Sequence, residues 1–337
     1  MTPRRQFIRN AALLAVGSHA LLRTGSLSAA VSEADKLRME GWPEMQYTTL
    51  GRTNFQASRL VYGCGAALSR RKMDRSLNAA FDHGVNVYDV GTSDYYNAAE
   101  RNLADFVKNK RDKIFLISKS WLEAGRDEEP TVERAKEIAT KWRAAMEKSL
   151  QELGQDHVDS YYTMDAKNPA LVKNEEIYRE FERAKEAGKV TYFGLSTHDN
   201  AQNVLLAAAE TGWYDLAMVA ITPAGWYDWA TRQVVKDSPT MAELKPVFDK
   251  ARDAGIALVG MKVARHLAGA MFGGREAKKA YDGHYTKSLQ ESGFSPFQKA
   301  YAYVLEHGMD VVNADIQSFD ILEENFIAAA TSRKFLS

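Results

Sequence analysis

The chain predicts an α/β fold, a (β/α)8 TIM barrel built as a single domain. Three observations carry this. Eight short runs rich in β-branched and aromatic residues recur along the chain. Each is followed by a longer stretch of helical period, and glycines stand where those stretches should stop. At 337 residues the chain exceeds the usual size of one domain, but α/β barrels commonly pass 250 residues as one unit.

The strand runs are 59–62, 85–89, 114–118, 158–163, 190–195, 216–221, 256–260 and 310–313. Helical stretches fall near 72–83, 98–109, 131–153, 174–187, 200–211, 240–254, 295–307 and 321–330. Gly84, Gly154, Gly188, Gly212, Gly255 and Gly308 each follow a helical stretch, where a left-handed residue ends a helix well. Within 131–153, Ile138, Trp142, Ala145, Ser149 and Leu153 recur every three or four residues, which predicts a core-facing stripe. Alternation at this spacing points to a closed parallel barrel rather than an open sheet. The first turn, Gly63-Cys64-Gly65, also lacks the continuation of a dinucleotide-binding GxGxxG loop.

Residues 1–30 are a different kind of sequence. Arg4-Arg5 precedes Phe7-Ile8, an apolar run spans 11–22, and Ser28-Ala29-Ala30 offers a small-residue cleavage site. That order reads as a twin-arginine export signal, removed near Ala30 to leave a periplasmic protein. The apolar run is too short for a lasting membrane anchor. Residues 31–44 are polar and read as a loose linker before a barrel domain at 45–337. Basic and acidic residues both total 44, and losing the leader leaves a net charge of −4, so nucleic acid is not an expected partner. The single cysteine, Cys64, excludes a disulfide framework and reads as a core thiol.

In such a barrel the active site sits at the C-terminal strand ends. Polar residues there are Asp89, Tyr95 and Tyr96, Lys119, Asp165, Ser196 to His198, Lys262, Gln317 and Ser318. Asp89 and Lys119, on adjacent strands, should be buried together and need each other. A nearby tyrosine would then feel the ammonium, which should lower its pKa toward that of a usable general acid. Trp226, Tyr227 and Trp229 cluster in a loop at 222–229, suited to stacking on a substrate or to roofing the core. Residues 264–293 form a long insertion, placed to act as a lid or cofactor clamp.

Several segments, MQYTTLGRTNFQASRLVYGCG, GVNVYDVGTSDYYNAAE, IFLISK, DHVDSYYTM, KVTYFGLSTHDN, ALVGMK and SFDILEEN, resemble successive motifs of the aldo-keto reductases. The likeness runs in order over about residues 45–330. It implies a nicotinamide-dependent oxidoreductase, using NADP(H) or NAD(H), that transfers hydride to a small-molecule carbonyl such as an aldehyde, ketone or sugar. Asp89, Lys119 and Tyr96 (or Tyr95) match three members of the family's catalytic tetrad. The histidine of the fourth position is replaced by Met164, whose thioether cannot donate a hydrogen bond. His157 belongs at the opposite strand end, leaving His198 or Asp165 as the alternatives for reaching the site. The resemblance further assigns Ser196, Thr197, Lys262, Gln317, Ser318, Glu324 and Asn325 to the cofactor. Ala220 and Met261 stand where a glutamine and an aromatic ring are usual. These departures keep a second expectation open, a lyase, isomerase or binding protein on the same scaffold.

Overall fold

The computed structural model describes residues 33–268 and 275–335, so the expected leader and the middle of the 264–293 insertion lie outside the described residues. The described chain opens with helix α1 (Glu33–Met39) and a hairpin of β1 (Tyr47–Thr49) and β2 (Gln56–Ser58). Eight parallel strands follow: β3 (Leu60–Gly63), β4 (Val87–Asp89), β5 (Phe115–Trp121), β6 (Val158–Met164), β7 (Val190–Thr197), β8 (Leu216–Thr222), β11 (Ala257–Met261) and β12 (Val311–Asp315). Each pairs with the next, β12 returns to β3, and β7–β8 pairing makes the ring continuous. A short antiparallel excursion, β9 (Gly225–Asp228) and β10 (Gln233–Val234), leaves the rim after β8.

The eight barrel helices are α2 (Asp74–Asp82), α3 (Ala99–Lys110), α4 (Val132–Leu153), α5 (Glu175–Glu186), α6 (Ala201–Thr211), α7 (Lys245–Asp253), α8 (Pro296–Glu306) and α9 (Phe319–Thr331). All six stop glycines take positive φ, as the reading of helix ends required. Helix α4 buries Ile138, Trp142, Ser149 and Leu153; Met146 is buried where the expected stripe had Ala145. Helix α7 starts five residues later than expected, because Pro246 near its N-terminus suits only the first turn.

Two apolar layers hold the fold. Inside the ring, Val61, Val87, Phe115, Ile117, Tyr162 and Val259 fill the barrel, and Leu50 and Phe55 beside the β1–β2 hairpin plug its N-terminal end. Outside it, strand and helix residues such as Leu116, Trp142, Phe193 and Phe326 form the larger layer. Each large apolar side chain buried this way contributes ~1.5–3 kcal/mol.

The expected linker at 31–44 is corrected by α1. Met39 is buried, and buried Asp35 pairs with Arg75. The Trp42 ring lies 4.7 Å from Phe326, and its Nε1 donates to Glu323 at 3.2 Å. A polar stretch became structured because its few apolar side chains and one acid found partners on the barrel.

Candidate active site

The C-terminal strand ends surround a cavity of about 970 Å³ that reaches from Asp89 and Lys119 to Glu324 and Asn325. On one wall, Asp89 ends β4 and Lys119 lies within β5, which runs past its expected end at 118. Both are 4% exposed. The Lys119 ammonium donates to the two Asp89 oxygens at 2.6 Å each and to the Val90 carbonyl at 2.7 Å. All three of its hydrogens are thereby committed. The opposite side of Asp89 accepts from Asn313 Nδ2 at 2.6 Å, a contact the sequence reading missed. Its only sequence signal is an amide within the otherwise apolar start of β12.

Tyr96 ends a one-turn helix, Ser93–Tyr96, capped by Thr92. Its ring is slotted between two backbones. A Cβ on Gly65 would lie 2.5 Å from Tyr96 Cε1, and one on Gly91 would lie 2.9 Å from Cε2. Lys119 Nζ is 5.7 Å from the ring centre. Burial, with the Asp89 carboxylate adding to it, pushes the phenol up rather than down. The expected lowering is therefore corrected, because the ammonium is spent on Asp89 and Val90. Tyr95 is 48% exposed and rests edge-on against Tyr96 and Trp121.

The other wall is built differently. Met164 lines the cavity at the end of β6. Asp165 follows at φ 54°, in the left-handed region, 3.4 Å from His198 Nδ1. Lys262 follows β11 at φ 61°, its ammonium 4.3 Å from the Trp229 ring centre. Such conformations cost about 1–3 kcal/mol each in non-glycine residues. Burial pulls Lys262 down to about 8, opposed by the Asp315 carboxylate. No carboxylate among the described residues pairs with it.

Ser196, Lys262, Gln317, Glu324 and Asn325 line the cavity as expected. Gln317 donates to Asp315 at 2.6 Å, and Glu324 accepts from Ser295. Thr197 and Ser318 do not line it. Thr197 is a strand residue whose hydroxyl donates to the Asp199 carbonyl at 2.9 Å. Ser318 caps α9 by accepting from the Ile321 amide at 3.3 Å. Of the three loop aromatics only Trp229 faces the cavity, while Trp226 packs on Phe248 and Tyr227 is buried. His157 sits between Arg111 and Thr191, bonded to both. Of the insertion, Ala264, Arg265 and Ala268 reach the cavity.

The comparisons agree with this geometry. The model of the aldo/keto reductase family matches residues 59–330. An uncharacterized oxidoreductase of Bacillus subtilis (strain 168), YrpG, is 27% identical over 250 residues, 69% of this chain and 70% of that protein. The solved aldo-keto reductase AKR11C1 of Bacillus halodurans, in its holo form, superimposes with a TM-score of 0.62 at 19% identity, covering 87% of this chain and 95% of that one. With the family model matching most of its length, the chain belongs to the aldo/keto reductase family, a family of oxidoreductases.

Proposed function

We propose that this chain carries out NAD(P)H-dependent reduction of a carbonyl on a small aldehyde, ketone or sugar-like molecule. Asp89, Tyr96 and Lys119 are its catalytic residues. The observation that carries the reading is the closed Asp89–Lys119 pair with the Tyr96 ring slotted above it in the cavity wall. In that arrangement the Tyr96 hydroxyl hydrogen-bonds to the substrate oxygen and polarises it, keeping its own proton. The buried ammonium stabilises negative charge developing there, and Asp89 with Asn313 holds the ammonium in place.

The residues fit a nicotinamide dinucleotide. A half-buried ammonium without a carboxylate partner among the described residues, at Lys262, suits a phosphate, as does the N-terminal turn of α9. Ser196, Gln317, Glu324 and Asn325 supply polar contacts, and Thr197 and Ser318 hold the loops that carry them. When bound, the nucleotide supplies or accepts hydride. The family resemblance favours NADP(H). The leader makes the protein a client of the twin-arginine machinery, carried folded to the periplasm with its nucleotide already held.

Met164 favours a second reading, non-redox chemistry or binding on the same scaffold, since a thioether offers the substrate oxygen no donor. Acid release of small molecules from protein purified from the periplasm separates the two, read by ultraviolet absorbance and mass. Near-stoichiometric NADP(H) or NAD(H) is expected. An empty protein that also binds neither NADPH nor NADH by calorimetry would leave only the second reading.

A further inference from the structure

The wall that lacks a donor at Met164 holds a different proton-handling pair. Asp165 and His198 come from the ends of β6 and β7 and line the same cavity as Tyr96 and Lys119. The carboxylate stands 3.4 Å from Nδ1, and Lys167 flanks it at 3.6 Å. Catalytic hydrogen bonds in unliganded sites are commonly long and tighten on substrate binding. Asp165 holds its place despite a left-handed backbone, and the Ala166 amide is tied to the Ser196 carbonyl at 2.8 Å.

With Nδ1 turned to a carboxylate, the neutral ring carries its hydrogen there and leaves a lone pair on Nε2. Nε2 has no partner among the described residues. We propose that His198, oriented by Asp165, is a general base of this site, exchanging the proton of the reacting substrate oxygen through Nε2. The inference rests on the hydride-transfer reading. In the oxidative direction, the substrate O–H bond breaks toward Nε2, its C–H hydride leaves to the nicotinamide ring, and the carbonyl forms. Reduction is the reverse, with imidazolium returning the proton. Asp165 is a positioning residue that steadies the imidazolium.

The groups facing His198 decide its charge. Burial holds the imidazole below its usual range, Lys262 and Lys119 push the same way, and Asp165 opposes them. Neutral imidazole therefore dominates at neutral pH, the form a base requires.

Two measurements test this. Carbethoxylation by diethyl pyrocarbonate, followed peptide by peptide by mass spectrometry, needs no substrate. His198 is expected to react, with a midpoint below 6.5, and an unreactive His198 overturns the proposal. Oxidation of 4-nitrobenzyl alcohol with NADP+ or NAD+ is the second. The wild type is expected to lose kcat on the acid side as His198 protonates. H198N should lose about 100-fold or more in kcat at little change in KM, together with that acid limb. D165N should keep the limb but move it to lower pH. H198N with wild-type kcat and an intact limb overturns the proposal. Failure of NADPH and NADH to bind by calorimetry sinks the hydride reading separately, and the carbethoxylation result still judges the base.

Discussion

The two walls of the cavity are built on opposite principles. On the Asp89–Lys119 side the two charged groups are satisfied by protein, and they sit on regular strands. On the Asp165–Lys262 side the groups come just after strands, in left-handed backbone, with a half-buried ammonium set against an aromatic ring rather than an acid. The charges of the first wall are settled by the protein itself. The second holds strain and an ammonium without an acid partner, and a bound anion would compensate that charge. The difference separates a wall closed by charge pairing from one that leaves a cation without an acid.

The largest break of this contrast is Lys119→Met. It leaves the buried Asp89 carboxylate unpaired, and about 3–5 kcal/mol of stability should go with it. Urea unfolding checks this, and an unchanged midpoint would mean the pair is not closed in solution.

Next comes Gly65→Ala, which should leave the fold intact because Gly65 is not at positive φ. The added methyl drives the Tyr96 ring from its slot, and turnover of 4-nitrobenzaldehyde with NADPH or NADH should drop about 100-fold. Wild-type turnover would show that the ring position is irrelevant to the chemistry.

Lys262→Met sharpens the second wall. A lysine whose folded pKa, about 8, lies below its usual 10.5 penalises the folded state below pH 8. That penalty fades as pH rises from 8 through 10.5. The variant should therefore be more stable at pH 7 by about 2 kcal/mol, converge on wild type near pH 10.5, and bind NADPH more weakly. Thermal unfolding across that range tests the sign, since a destabilised variant at pH 7 contradicts it.

The smallest effect belongs to Ser318→Ala. Losing the α9 cap should cost about 1 kcal/mol, with nucleotide affinity unmoved. A weakened Kd at unchanged stability would return Ser318 to the ligand.

Much of the fold was legible in sequence because barrel strands and helices announce themselves by local period and by glycine stops. Boundaries missed by a few residues at strand ends, and those few residues moved Lys119 and Ser196 from loop into strand. The helix α1 was illegible because its partners, Arg75 and Glu323, lie far along the chain.

The sequence alone determined which chemistry-bearing residues exist and the strand after which each emerges, because alternation and helical period are local properties. It also determined that a thioether, Met164, closes β6. Only the tertiary structure decided which of those groups meet. Asn313 on Asp89, the slot of Gly65 and Gly91 around Tyr96, and His198 against Asp165 are contacts between different strands or loops. The same packing decided the charge state, raising the phenol that the sequence led one to expect lowered, because desolvation and the competition for one ammonium exist only once the chain has closed.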